Sequence, residues 1–154
     1  MNDTTRGRVF VITQFVLLAL LVFWPEQTGG WGFADLVVTL IGIALTAIGL
    51  SILLLAAIGL GRSLTASPIP KDGSKLVRRG FYKFIRHPIY TGLLAFALGI
   101  GLDAGPAPHM LFVIGLFVLL YFKARWEEKL LMARYPEYET YMAKTGMFLP
   151  RVKG

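Results

Sequence analysis

The sequence predicts an all-α fold: a polytopic membrane protein with four transmembrane helices and both chain ends on the cytoplasmic side. Three observations predict it. Of the 154 residues, 55% are hydrophobic and 16% charged, against about a quarter charged in soluble domains. The apolar residues gather into four runs, 9–24, 33–60, 89–102 and 109–122, separated by Gly, Pro and charged residues. All sixteen Lys and Arg lie before the first run, between the second and third, or after the fourth. The two remaining connections carry none, so the positive-inside rule puts them outside and demands an even number of spans. A chain of this length, 1–154, makes a single membrane-embedded domain.

Composition also excludes. With no cysteine, disulfides, thiolate nucleophiles and Cys-ligated metals are ruled out. The net charge of +7 sits on the cytoplasmic face, where anionic lipid headgroups account for it without a nucleic-acid partner.

The first run, 9–24, is short for a span. A signal peptide is the competing reading, but Pro25-Glu26-Gln27-Thr28-Gly29-Gly30 offers no small-x-small cleavage site, so the segment is expected to be a retained helix. Trp24 and Trp31 bracket the outer turn as an aromatic belt would. The second run, 33–60, is long enough to tilt, and Gly42, Gly49 and Gly59 offer a small surface to a neighbouring helix or a second copy of the chain. Residues 61–87 then read as a cytoplasmic loop. Pro68 and Pro70 forbid a continuous helix, Lys71-Asp72-Gly73-Ser74 is turn chemistry, and the mixed basic and apolar stretch 76–85 suits the headgroup layer.

Pro88 is placed as the first residue of the third span, where its missing N–H costs nothing. Spans 89–102 and 109–122 form an antiparallel hairpin around the turn at 103–108, bringing the start of one and the end of the other to one level. The helical pattern continues into charge over 123–134, with Lys123–Glu127 and Arg125–Glu128 at ion-pair spacings, until Tyr135-Pro136 stops it.

The chain has no Gly-rich phosphate loop, no His/Glu metal spacing and no nucleophile elbow, so no metal is expected. What remains at the cytoplasmic level is Arg86, His87, Tyr90, Glu127, Glu128 and the tail tyrosines. An arginine forks onto carboxylates, a glutamate accepts from hydroxyls or an ammonium, and a tyrosine faces a nucleobase. These are groups for a charged polar cofactor at a membrane surface.

Arg86-His87-Pro88-Ile89-Tyr90-Thr91-Gly92, then Glu127-Glu128, then Arg134-Tyr135-Pro136-Glu137-Tyr138-Glu139-Thr140-Tyr141 and Phe148-Leu149-Pro150, resembles the isoprenylcysteine carboxyl methyltransferase family and its phospholipid-methyltransferase relatives. Pro68-Ile69-Pro70, Leu76-Val77 and Gly80-Phe81-Tyr82 extend the likeness over residues 61–150. The resemblance implies an S-adenosylmethionine-dependent membrane enzyme, with S-adenosylhomocysteine as product. Its cofactor pocket would be closed by the cytoplasmic loop and the C-terminal helical segment, and a lipophilic or small acceptor would enter from the bilayer. By carry-over, His87, Tyr90, Gly92 and Tyr82 line the cofactor pocket with Glu127 and Glu128 below it, and Arg86 with one of the two glutamates stands nearest the reaction. Phe81 replaces a common Pro, and Arg134-Tyr135-Pro136 replaces the Phe-Gly of eukaryotic members. With only four spans, prenyl-protein specificity is not inherited, and a bacterial inner membrane is the expected setting.

Each motif also has a plainer reading. Arg86-His87-Pro88 alone is a juxtamembrane helix start, and Glu127-Glu128 alone is a solvated helix face. Tyr135, Tyr138 and Tyr141 read as interfacial anchors, His109 as a turn residue, and Asp103 and Glu26 as solvated ends. The alternative function is a non-catalytic four-helix membrane subunit that binds anionic lipid or a partner protein.

Overall fold

Asn2 starts the first helix by accepting the Thr5 N–H on its side-chain oxygen at 2.8 Å. Asp3 adds negative charge where the helix dipole favours it. In the computed structural model, which describes residues 2–25, 30–65, 67, 69, 76–105 and 108–151, this helix, α1, runs Asp3–Phe23. It therefore begins ahead of the expected 9–24 and takes Arg6 and Arg8 into its opening turns. Four more helices follow: α2 (Asp35–Leu60), α3 (Pro88–Asp103), α4 (His109–Arg134) and α5 (Tyr138–Lys144). The segments containing α1, α2 and α4 are long and apolar enough to cross a membrane, and α3 is a shorter apolar helix. The all-helical fold is thus the one observed, and three spanning-length helices with a shorter apolar fourth accord with the expected four spans. The charged stretch 123–134 continues α4 without a break.

Glycines set the closest helix contact. Gly42 and Gly49 of α2 face Gly99 and Gly92 of α3 in reciprocal pairs. A Cβ on Gly92 would stand 2.7 Å from the Gly49 carbonyl oxygen, and one on Gly49 would stand 2.6 Å from the Gly92 carbonyl oxygen. No side chain fits there, so the two backbones touch and gain dispersion that bulkier residues would forfeit. The small surface of α2 at Gly42 and Gly49 is spent inside the bundle. On the other side of α3, Leu93 and Ala97 pack with Leu21 of α1 and Leu116 and Leu120 of α4 to form the core. Large side chains such as Leu40 and Ile58 of α2 and Leu111 and Ile114 of α4 point outward and stay exposed, as lipid-facing residues do.

The bundle has two unlike ends. At one, the start of α1 meets the 61–88 connection and the second half of α4. Gly7 lies against Ser67, Ile69 and Trp126, and the Arg6 guanidinium sits 5.0 Å over the Trp126 ring. At the other, the Trp31 indole N–H donates to the Leu102 carbonyl at 2.8 Å and Trp24 packs edge-on against Phe112. His109 opens α4, where the fourth span was expected to begin, but is buried rather than lying in the turn.

The described parts of the 61–87 connection hold local structure of their own. Gly61–Ser63 and Gly80–Lys83 form 3₁₀ turns, the second entered through Gly80 at φ +61°, a value that favours glycine. Pro68, Pro70, the turn expected at 71–74, Glu26 with residues 27–29, and residues 106–107 lie outside the described residues. Beyond α5 the tail returns to this connection. The Arg86 N–H donates to the Gly146 carbonyl at 2.8 Å, the His87 N–H to that of Met147 at 3.1 Å, and the Gly146 N–H to that of Phe84 at 3.2 Å. This parallel bridge between Ile85 and Gly146 ties the C-terminal segment to the approach of α3.

Candidate active site

Pro88 at the head of α3 fixes where the helix begins, because the residue before a proline is pushed out of the helical region. Arg86 and His87 are therefore held outside the helix, on irregular chain just ahead of α3, and Tyr90 follows within its first turn. Glu127 and Glu128 reach the same level from α4. The Tyr90 hydroxyl donates to Glu127 Oε2 at 2.8 Å. The His87 ring stacks parallel to that of Tyr90, with centroids 5.3 Å apart. Its Nδ1 lies 3.8 Å from Glu127 Oε2 and its Nε2 3.3 Å from Glu128 Oε1. Arg86 Nε donates to Glu128 Oε1 at 2.6 Å, and its Nη1 donates to the carbonyls of Met142 and Thr145.

The two adjacent glutamates have separate tasks. The Glu128 side chain is 3% exposed and points into Arg86 and His87, whereas that of Glu127 is 25% exposed and lines a cavity of about 820 Å³, counted to its open mouth. Arg86, His87, Tyr90 and Tyr82 line the same cavity, with Ser63, Thr65, Leu76, Val77 and Leu131 around them. Five of the seven expected site residues thus share one wall, with Glu128 bracing it from behind. Gly92 is placed elsewhere. It faces the backbone of α2 at Gly49 and Leu53 and is not among the lining residues, because its lack of a side chain is used for helix contact.

The expected helix-surface ion pairs also change. Glu128 turns inward to Arg86 rather than to Arg125. Lys123, expected beside Glu127, is buried, donates to Gln14 Oε1 of α1 at 2.7 Å and lies 5.2 Å over the Tyr90 ring.

The tail tyrosines, named among the candidate polar groups but read as interfacial anchors, are placed at the cavity instead. Tyr135, Tyr138 and Tyr141 line the cavity, the last two of them buried. The Tyr141 hydroxyl donates to the Tyr82 carbonyl at 2.6 Å, joining the C-terminal helix to the connection across the cavity. Burial pushes the Tyr141 hydroxyl up to about 12 and raises those of Tyr82 and Tyr138 further, with the charges of Glu127 and Glu128 adding to the rise. All three are neutral donors near pH 7. A signal was present: Tyr138 and Tyr141 stand three apart and so share one face of a short helix, and an interfacial anchor needs no such pairing.

The family model for phospholipid methyltransferases matches residues 37–138. The chain belongs to this family. The matched stretch spans α2, α3 and α4 and so includes Arg86, His87, Tyr90, Glu127 and Glu128. Relatives agree over nearly the full chain. The Probable protein-S-isoprenylcysteine O-methyltransferase of Oryza sativa subsp. indica is 30% identical over 99% of this chain and 84% of its own length. The cobalt-zinc-cadmium resistance protein CzcN of Cupriavidus metallidurans is 29% identical over 98% of this chain and 67% of its own. The nickel-cobalt-cadmium resistance protein NccN of Alcaligenes xylosoxydans xylosoxydans is 28% identical over 96% and 67%. Membership of this family makes the chain an integral membrane methyltransferase, a class that draws on a methyl donor and acts on lipophilic substrates.

Proposed function

We propose that the protein transfers a methyl group from S-adenosylmethionine, held in this cavity at the cytoplasmic end, to a lipophilic or small acceptor arriving from the bilayer. The observation that carries the reading is Glu127: a partly exposed carboxylate, oriented by Tyr90, facing a cavity whose other lining is largely aliphatic and aromatic. S-adenosylmethionine supplies a methyl group on a cationic sulfur, and its in-line transfer forms a bond to the acceptor's nucleophilic atom while the sulfur leaves as a neutral thioether.

The residues fit such a guest. Glu127 can accept from ribose hydroxyls or an ammonium and supplies counter-charge in a site of low polarity. Leu76, Val77 and Leu131 offer an apolar bed for a purine, with tyrosine rings at its edge. Arg86 commits Nε and Nη1 to Glu128 and the tail, which leaves Nη2 for a carboxylate of cofactor or acceptor. Methyl transfer of this kind needs little acid–base help, so rigid placement of these groups supplies most of the acceleration.

Depth in the membrane supports a lipophilic acceptor. At 16 residues, α3 is about 24 Å long against a hydrocarbon layer of ~30 Å, so Arg86 and His87 at its head lie within reach of lipid-dissolved molecules. The acceptor atom is a carboxylate, thiol, amine or hydroxyl. The basic residues gathered at this end support its assignment to the cytoplasmic side.

Calorimetry with S-adenosylhomocysteine on detergent-purified protein tests the reading. Binding is expected, and Glu127→Gln should weaken it about tenfold or more, the cost of one charged hydrogen bond. A screen of lipophilic thiols and carboxylates with labelled methyl donor should then yield a methylated product. Absence of binding in several detergents and in nanodiscs would reject the reading in favour of a non-catalytic membrane subunit.

A further inference from the structure

Lys123 is the most deeply buried cation among the described residues, 1% exposed where the apolar half of α4 gives way to its charged half. A charge in such a place is costly and persists only with compensation. Its Nζ donates to Gln14 Oε1 at 2.7 Å and lies 5.2 Å from the centre of the Tyr90 ring, the same ring whose hydroxyl holds Glu127. Glu127 sits one helical turn further along α4, close enough for the two charges to interact. Two acid–base pairs therefore stand side by side. Arg86 compensates Glu128 in direct contact, and Lys123 compensates Glu127 from behind Tyr90, outside the cavity lining.

We propose that Lys123 is a positioning residue that acts through Glu127: by offsetting the carboxylate's charge, it sets how strongly the cavity prefers a cationic methyl donor over its neutral thioether product. This rests on the cofactor reading above. A lone carboxylate beside the sulfur would hold the sulfonium tightly and release the product readily, but would also deepen the bound ground state that the reaction must leave. A cation at second distance moderates that preference. The link to Gln14 makes α1 part of this balance, although α1 contributes no residue to the cavity wall.

The test measures the affinities of S-adenosylmethionine and S-adenosylhomocysteine in parallel, by calorimetry on the full-length protein in detergent. Lys123→Gln removes the charge and keeps a group able to bond Gln14. The ratio of donor to product affinity is expected to rise about tenfold, the effect of removing one unit charge at this range in a medium of intermediate dielectric. Lys123→Arg should keep the wild-type ratio. Gln14→Glu leaves Lys123 in place but neutralises it locally and should raise the ratio in the same direction, which keeps the test open if Lys123→Gln fails to fold. Equal weakening of both ligands, or a ratio within twofold of wild type in folded Gln14→Glu protein, overturns this role and leaves the cofactor reading standing. Wild-type protein that binds neither ligand overturns the cofactor reading, and the role of Lys123 with it.

Discussion

Where α3 begins and α4 finishes, Arg86, His87, Tyr90, Glu127 and Glu128 engage one another within 2.6–3.8 Å. Where α3 finishes and α4 begins, His109 is buried and its Nδ1 has no hydrogen-bond partner among the described residues, and one indole bond from Trp31 ties the outer turn to α3. Both ends are made of the same helices in the same apolar surroundings. The difference shows what polar groups need there: each buried charge must bring its partner, and partners from three separate stretches of chain converge only if the backbone is pinned. At the site end it is pinned by the tail bridging at Gly146 and Met147. Among the described residues, the opposite end carries no comparable cluster of charges.

Arg86→Ala should break this contrast most severely. Glu128 would remain buried with His87 as its one hydrogen-bonding side chain among the described residues, and the Met142 and Thr145 carbonyls would lose their guanidinium. Removing one partner of a buried ion pair costs about 3–5 kcal/mol. The expected readouts are a large fall in thermal midpoint in detergent and early proteolysis of the segment after α5. A variant with wild-type stability and an intact tail would show that the cluster does not hold that end together.

Gly92→Val comes next. Its Cβ would stand 2.6 Å from the Leu53 N and 2.7 Å from the Gly49 carbonyl oxygen, so α2 and α3 must separate, at about 1–3 kcal/mol for an overpacked contact. Because Gly92 lies one turn above the cavity, ligand binding should weaken together with stability. Loss of binding with no loss of stability would return Gly92 to the cavity wall, where sequence reasoning had put it.

Much of this was legible beforehand, and what was not has physical causes. Four apolar runs, the basic segments and Pro88 foretold the helices and the level of the site, because hydropathy and proline act locally. The order Arg86, His87, Tyr90, Glu127, Glu128 foretold the cluster. The contact of Gly92 with α2 was not legible, because a glycine in a motif looks the same whether a ligand or a helix backbone comes close to it. Tyr138 and Tyr141 were assigned to the interface because their burial depends on the tail folding back on residues 84–87, a contact between distant segments that no local pattern encodes. Lys123 and Gln14 were invisible as partners for the same reason, being 109 residues apart in sequence.

Tyr141→Phe should have a smaller effect that depends on pH. Near neutrality it removes the bond to the Tyr82 carbonyl, worth about 1 kcal/mol. Burial raises the hydroxyl from 10.0 to about 12, so the folded protein keeps a proton that the unfolded chain gives up. That contribution is fully present below pH 10.0 and is lost as pH rises toward about 12. Thermal midpoints measured across this window should therefore fall less steeply in the variant than in wild type. Parallel slopes would mean that Tyr141 is solvated and that the tail does not close over it.

The smallest change is expected at the opposite end, and its sign is the informative part. His109 is 1% exposed, and its Nδ1, without a partner among the described residues, carries a desolvation cost. Edge-on packing against Phe112, with centroids 6.5 Å apart, is a contact that an aliphatic side chain of similar size can replace. His109→Leu should therefore leave stability unchanged or raise it by up to about 1 kcal/mol, read as an unchanged or higher thermal midpoint, since removing an unsatisfied polar atom recovers part of its burial cost. Ligand affinity at the far end should stay at the wild-type value. His87→Leu would do the reverse, because His87 Nε2 faces Glu128 at 3.3 Å and its loss strips a partner from a buried carboxylate. A destabilised His109→Leu protein would mean that the imidazole has a partner after all, and that the outer end also depends on a polar contact.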